Sequence, residues 1–356
     1  MLLSRERAPP TLRAVIPQFG KSEKCGIMTS MPIRPFSEEQ ARALVNLEQH
    51  YQVWIEAERQ LAQLPYDLRR KQIGDHTYLY EVFDRSGNGK SLGPWSPQQE
   101  TRLVDYRKRK ARLKQRRDAS RSRLEETGRL ARALRLPMLA NAAGPILREA
   151  DKRDLLGSYF LVVGTNAIVA YAAEAGGFIP DAPEETDDFD LAWTAAQTEA
   201  RDGERILWDM LKAVDPTFTV NMERTFQARN SKAYEVEIVV APSRAHSIAK
   251  TDRPRPVPMP EQEWLLLGKP VDRVVICRDG SPARIVAPDP RWYALHKLWL
   301  GRQAKRNALK RRKDIQQGRA LLDAVQEAMP QYPLNDAFER SLPQELRKPY
   351  ADWKQP

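Results

Sequence analysis

Hydrophobic and polar residues alternate with two periods along the chain, and the helical period dominates near the N-terminus. Ser37 and Gln40 form a capping-box pattern, and apolar residues recur every three to four positions after it, which predicts a helix over residues 37–64. Ser96 before a proline predicts a second helix start, with the helix running to about residue 134. Between them, residues 77–83 alternate like a strand and precede a glycine-containing turn, which predicts a β-hairpin.

From about residue 159 onward, short strand-like runs alternate with helical patterns. Strands are predicted over residues 159–163, 188–193, 217–220, 234–240, 274–277 and 284–286. Helices are predicted over residues 142–153, 166–174, 201–213, 290–301 and 308–328. This alternation is typical of a sheet flanked by helices.

The charge of the chain is concentrated in one predicted helix. The 356 residues carry 58 Lys and Arg against 47 Asp and Glu, a net charge of +11. Residues 101–135 alone contain 14 Lys or Arg and 4 Asp or Glu. Such a stripe is typical of a protein that binds a polyanion such as a nucleic acid, although a solvated helix face is an equally ordinary explanation.

Composition also limits the class of protein. Cys25 and Cys277 are the only cysteines, too few for a disulfide framework and consistent with a reducing compartment. No stretch approaches the ~20 apolar residues that span a membrane. We therefore expect a soluble, cytoplasmic protein.

Acidic residues on two predicted strands form the most informative pattern. Asp188 and Asp190 are two positions apart, so their side chains share one face of the strand, with Cα atoms ~6.6 Å apart. Carboxylates at that spacing suit one or two hard cations such as Mg²⁺. Glu235 and Glu237 repeat the pattern on a later strand, and either could join the first pair if the strands are neighbours. A solvated strand face is the alternative in both cases.

Two further positions have the chemistry of a phosphate site. Gly164 and Thr165 lie where an apolar strand is predicted to meet a helix, and a helix start offers unpaired N–H groups to an anion. Lys297, on the predicted helix over 290–301, could reach triphosphate oxygens across a cleft. Taken singly, each is more often an ordinary turn or a solvated lysine.

Together these segments resemble the DNA polymerase beta-type nucleotidyltransferase superfamily, and more narrowly a bacterial family of nucleotidyltransferase-fold proteins. The resemblance covers roughly residues 36–330. The segments that carry it are residues 163–167, 171–176, 186–191, 289–291 and 296–298, with 78–80 and 91–94 in the helical leader.

The resemblance implies an α+β fold, polymerase beta-like, in which a mixed sheet is flanked by helices. It implies metal-dependent transfer of a nucleoside monophosphate from an NTP to an acceptor, with pyrophosphate as the leaving group. By the matching positions, the catalytic and metal-binding residues (Mg²⁺ or Mn²⁺) would be Asp188, Asp190 and Glu237. The nucleotide-binding residues would be Gly164, Thr165 and Lys297.

We expect four regions along the chain. They are a disordered tail (1–35), a basic helical domain with a β-hairpin (36–153), a nucleotidyltransferase core (154–287) and C-terminal helices that complete the active-site cleft (288–356).

Two functions remain open at this point. The first is an NTP-using transferase, in some relatives a toxin with an antitoxin partner, whose acceptor is tRNA, another RNA or a protein. The second is a catalytically inactive protein of the same fold that acts as a nucleic-acid-binding module. In either case the nucleic-acid-binding residues would be Arg107, Lys108, Arg109, Lys110, Arg116 and Arg117.

Overall fold

The computed structural model describes residues 32–180, 182, 188–197 and 205–355. The strands are β1 (Arg34–Pro35), β2 (Asp67–Ile73), β3 (His76–Val82), β4 (Gly89–Pro94), β5 (Met138–Leu139), β6 (Phe160–Val163), β7 (Gly177–Phe178), β8 (Asp188–Trp193), β9 (Thr219–Val220), β10 (Gln227–Arg229), β11 (Glu235–Val240), β12 (Val271–Cys277) and β13 (Pro282–Ala287). The helices are α1 (Glu38–Ala62), α2 (Pro97–Ala133), α3 (Ala143–Lys152), α4 (Ala167–Ala175), α5 (Ile206–Val214), α6 (Pro290–Leu300), α7 (Ala308–Ala328), α8 (Asp336–Ser341) and α9 (Gln344–Lys354).

Helices α1 and α2 pack along each other, and both begin where the capping residues predict. The Ser37 side chain accepts a hydrogen bond from the Gln40 backbone N–H while the Gln40 side chain bonds back, so the capping box is confirmed. The Ser96 side chain caps α2 by accepting a hydrogen bond from the Gln99 backbone N–H, with proline at the next position. Apolar residues of α1, including Leu47, Tyr51 and Ile55, are buried against α2 and β12.

The predicted hairpin is one strand larger than expected. Strands β2, β3 and β4 form an antiparallel sheet packed on the N-terminal half of α2 through Leu68, Leu79, Leu103 and Tyr106. The sequence analysis missed β2 because five of its seven residues are exposed, so no apolar alternation marks it. Pairing with β3 along its whole length, with Leu68 packed on α2, defines this strand.

The largest of the described sheets is mixed and has five strands in the order β6-β8-β11-β10-β9. Strand β8 runs parallel to β11 and antiparallel to β6. The sheet of β13, β12 and β5 lies beside it. Helix α4 packs on β12 and β13, and all its residues from Ala167 to Ala173 are buried. The predicted α+β fold, a mixed sheet flanked by helices, is confirmed.

The predicted end of the disordered tail is wrong, and three predicted segments lie partly outside the described residues. The predicted disordered tail extends to residue 35, yet Arg34–Pro35 pairs with β7 and Ile33 is only 2% exposed. Burial of Ile33 orders this segment. Residues 1–31 of the tail, 186–187 of the acidic motif and 201–204 of the predicted fifth helix lie outside the described residues.

Two helices near the C-terminus, α8 and α9, were not located by the sequence analysis. They pack on α6, where Phe338 and Tyr350 join the main core. Within the described part of the chain, no helix combines the length and the apolar character needed to cross a membrane.

Candidate active site

The acidic residues of β8 and β11 lie next to each other in register. Asp190 pairs with Glu237 and Asp188 pairs with Glu235 across two parallel strands, which are separated by about 4.8 Å. The intervening residues of both strands point into the core and are buried, so the four carboxylates share the opposite face. The structure therefore brings Asp188, Asp190 and Glu237 together on one side of the sheet.

Burial and crowding of negative charge perturb these carboxyl groups. Burial, together with the neighbouring Asp188 and Glu237 carboxylates, raises the pKa of Asp190 to about 7. Burial and Asp188 also raise the pKa of Glu237. Lys297 and Lys310 oppose the effect on Asp190 but do not cancel it. Negative charge thus accumulates here beyond what the neighbouring cations compensate.

Gly164 is required by its backbone and by the carboxylate beside it. It follows β6 with φ +66°, a conformation that side chains rarely adopt. A Cβ at this position would lie 1.8 Å from Asp190 Oδ2. The Gly164 carbonyl accepts a hydrogen bond from the buried Tyr293 hydroxyl, which ties the turn to α6. The glycine was predicted to approach a phosphate, whereas the structure shows it in contact with Asp190.

Hydrogen bonds distinguish the two glutamates that the sequence left open. Glu235 is bound by the Arg229 guanidinium and by Gln227 Nε2, at 2.6 Å from the latter. Glu237 accepts a hydrogen bond from Gln227 Nε2 at 3.0 Å, and its carboxylate lies beside Asp190. Glu235 is therefore neutralised by an ion pair, and Glu237 is the glutamate that faces the aspartates.

Lys297 lies at the site but is engaged differently from the expectation. Its ammonium is buried and forms an ion pair with Asp314 of α7 at 2.9 Å. Arg306 Nε binds the other oxygen of Asp314, also at 2.9 Å. A carboxylate only 2% exposed needs such counter-charges. Phosphate contact by Lys297 remains a prediction, and its observed partner is Asp314.

The residues after Gly164 anchor the start of α4. The Thr165 hydroxyl is buried and lies 3.5 Å from Gln317 Nε2 of α7. Asn166 Nδ2 donates a hydrogen bond to the Asp188 backbone carbonyl at 3.0 Å. The turn after β6 is thereby joined to the acidic strand and to α7.

A cavity of about 330 Å³ opens beside the carboxylates. Four of the predicted site residues line it, namely Gly164, Asp190, Glu237 and Lys297. Asp188 and Thr165 are not among its lining residues. The cavity also extends over an apolar surface between β11 and α6.

The carboxylate groups of this site suit a hard divalent cation, although the described residues are not already arranged as a complete set of metal ligands. Within the described ranges, no group of three or more His, Cys, Asp or Glu side chains is arranged as a metal site. Carboxylate oxygens are the ligands that Mg²⁺ and Mn²⁺ prefer. The raised pKa of Asp190 reflects its burial first and the neighbouring charges of Asp188 and Glu237 second, and a bound cation would relieve both effects. By donor chemistry and by charge, Asp188, Asp190 and Glu237 fit such an ion.

The six predicted nucleic-acid-binding residues fall into two groups on α2. Lys110 binds the Tyr66 carbonyl and the Tyr106 hydroxyl, Arg116 forms an ion pair with Glu56, and Arg117 forms one with Asp118. The remaining three point into solvent and are Arg107, Lys108 and Arg109. Three of these six residues thus also make contacts within the protein that stabilise α2 or its packing.

Sequence reasoning missed several residues that shape the site. Gln227 carries no motif, because a polar residue on a three-residue strand gives no periodic signal. Tyr293 and Asp314 stood in segments already singled out, but their contacts with Gly164 and Lys297 join residues far apart in the chain. A single acid directly after four consecutive bases, over residues 310–314, was the available sequence signal for Asp314.

Comparison with known proteins agrees with the fold. A family described as Nucleotidyltransferase matches residues 141–343, more than half of the chain. The chain belongs to this nucleotidyltransferase family, and it is accordingly a transferase of nucleotidyl groups. No curated protein and no solved structure matches it.

Proposed function

We propose that the protein transfers a nucleoside monophosphate from an NTP to a hydroxyl of an acceptor, in a reaction that depends on Mg²⁺ or Mn²⁺. The observation that carries the proposal is the in-register pairing of Asp190 with Glu237 against Gly164. Carboxylates with a raised pKa at the edge of a cavity are typical of a site that binds cations and moves protons.

Each residue has a role that follows from its position. Asp188 and Asp190 would hold the metal, with Glu237 as the third carboxylate. A metal bound there would neutralise charge on the phosphates and orient them. Glu237, whose pKa is raised, would accept the proton of the attacking hydroxyl more readily than an ordinary glutamate.

The bond changes are those of a simple displacement. The acceptor oxygen forms a bond to the α-phosphorus, the bond from the α-phosphorus to its bridging oxygen breaks, and pyrophosphate leaves. The Gly164 turn would let the triphosphate approach the backbone closely, because no side chain intervenes there. Lys297, fixed by Asp314, would contribute positive charge to the cavity wall.

The transfer is tested with two labels. The protein is incubated with each NTP labelled at the α- or the γ-phosphate, Mg²⁺, and total RNA or protein. We expect label from the α-position only, and loss of at least about 100-fold in Asp188→Asn and Asp190→Asn, in line with removal of a major electrostatic group. The control is Asp105→Asn on the exposed face of α2. Undiminished transfer in both site variants would refute the assignment.

An RNA acceptor is the form of the proposal that α2 favours. Arg107, Lys108 and Arg109 are exposed on a helix next to the sheet of β2, β3 and β4, whose Arg70 and Lys71 stack on aromatic rings. Aromatic and basic groups side by side are typical of single-stranded nucleic-acid binding.

Charge reversal tests the RNA surface. Replacing the three exposed bases of α2 by glutamate is expected to weaken RNA binding and to lower the slope of log K against log salt by about 2, since each phosphate contact contributes about 0.7. The matched control reverses three exposed bases of α8 and α9, Arg340, Arg347 and Lys348. Equal effects of both triples would show that only net charge matters.

A further inference from the structure

The inner part of the cavity has a different character from the carboxylate edge. It lies between β11, a 3-10 helix over Pro260–Leu266 and α6. Most of its wall is apolar, formed by Phe226, Ile238, Val239, Met259, Leu265 and Leu300. A flat, largely apolar ring with a polar edge would suit this space, because apolar walls favour the ring faces and leave only the edge to be satisfied.

Two buried, uncharged polar side chains interrupt the apolar wall, and the charged Glu261, Lys297 and Arg306 also line the cavity. His296 is 5% exposed and Gln262 is 7% exposed, and both line the cavity. Three atoms of these side chains have no hydrogen-bond partner among the residues that the structure describes. They are both ring nitrogens of His296 and the Oε1 atom of Gln262. Each buried polar atom left unpaired costs about 1–3 kcal/mol. A ligand that pairs with these atoms would recover that cost.

The imidazole of His296 is neutral in the folded protein. Burial, together with the positive charge of the adjacent Lys297, lowers the pKa of His296 to about 3. A neutral imidazole presents one N–H donor and one nitrogen acceptor. Together with the Gln262 carbonyl oxygen, the wall therefore offers both kinds of hydrogen-bonding group to a polar edge.

We propose that this inner part of the cavity binds the base of the nucleoside triphosphate, and that His296 and Gln262 determine which base is accepted. The inference rests on the proposed nucleotidyl transfer. Gly164 and Asp190 line the same cavity at its carboxylate edge. With the phosphates held at that edge, the base of the same molecule extends over the apolar wall toward the two orphaned side chains.

Binding measurements separate the base from the phosphates. Affinities of the four NTPs and of inorganic tripolyphosphate, each with Mg²⁺, are measured by calorimetry on the full chain. Intrinsic tryptophan emission serves as a second readout, because Trp264, one of the eight tryptophans, has its ring 6.3 Å from that of His296. We expect wild type to prefer at least one NTP about tenfold or more over tripolyphosphate, the ratio that one well-formed buried hydrogen bond provides.

His296→Phe keeps the ring and removes both nitrogens. We expect this variant to lose the preference among NTPs by about tenfold while tripolyphosphate binds as in wild type. Gln262→Met, an unbranched replacement, gives a second test if the first variant does not fold. The control is His246→Phe, at an exposed position.

The outcomes distinguish this inference from the proposed function. If wild type binds tripolyphosphate and all four NTPs equally, the base contributes nothing and the inference is overturned, while nucleotidyl transfer stands. Preference that survives in both cavity variants overturns it as well, because the base is then recognised elsewhere. If neither NTP nor tripolyphosphate binds, the proposed function fails together with the inference.

Discussion

Replacement of Asp190 by asparagine is expected to stabilise the metal-free protein, and the gain should grow with pH. The folded environment raises the pKa of Asp190 from 3.8 to about 7, so the folded state holds this proton more tightly than the unfolded state. Ionisation of Asp190 therefore costs no stability well below pH 4. The loss of folding free energy grows as the pH rises from about 4 to about 7, and it reaches its full size above about pH 7.

The magnitude follows from the size of the pKa change. At about 1.4 kcal/mol for each tenfold change in proton affinity, the ionised Asp190 destabilises the fold by about 4 kcal/mol at pH 8 as an upper limit. The same relation leaves a cost below about 2 kcal/mol at pH 5. Asparagine has nearly the same shape and no charge, so the stability difference between variant and wild type should increase by about 2–3 kcal/mol between these two pH values.

Urea unfolding monitored by circular dichroism at pH 5 and pH 8 measures this difference. Added Mg²⁺ should stabilise wild type at pH 8, by about 2.7 kcal/mol at 100 times its dissociation constant, and should have little effect on Asp190→Asn. Asp105→Asn, in which an exposed carboxyl is lost, is the matched control and should follow wild type. The reasoning is refuted if Asp190→Asn gains equally at both pH values, or if the control behaves like it.

Two further changes test the packing around the carboxylates by thermal or urea unfolding. Gly164→Ala and Gly176→Ala both place a side chain at φ near +65°, which costs about 1 kcal/mol. At Gly164 the new Cβ would collide with Asp190, whereas nothing lies within 4 Å of the new Cβ at Gly176. Gly164→Ala should therefore lose at least about 1 kcal/mol more of its free energy of unfolding than Gly176→Ala. Equal losses in the two variants would contradict the close approach of Gly164 to Asp190. Lys297→Met should cost about 3 kcal/mol, because it leaves Asp314 buried with one counter-charge instead of two. An unchanged midpoint would show that the ion pair does not form.

Local patterns predicted most helices and the longer strands, since their causes act over a few residues. Capping at Ser37 and Ser96 placed the starts of α1 and α2, and apolar runs placed β6 and β11. Strand β2 is the opposite case: it is polar and exposed, and its conformation depends on pairing with β3. Elements stabilised chiefly by a neighbour carry no signal of their own.

The candidate site divides in the same way. The spacing of Asp188 and Asp190 already required a shared face, because side chains in a strand alternate. That Glu237 rather than Glu235 faces them depended on Gln227 and on Arg229, which come from another strand. The partner of Lys297 depended on the packing of α6 against α7.

By itself, the sequence determined the helix starts and the acidic strand positions, since propensity, capping and side-chain alternation are properties of neighbouring residues. The α+β class came from the resemblance of its segments to a known family. The tertiary structure decided which charges meet, which are neutralised and which polar groups are buried without a partner. Those outcomes depend on strand order and helix packing, which bring together residues separated by tens to more than a hundred positions. Burial then determines how far the pKa of each ionisable group departs from its ordinary value, as the raised pKa of Asp190 shows.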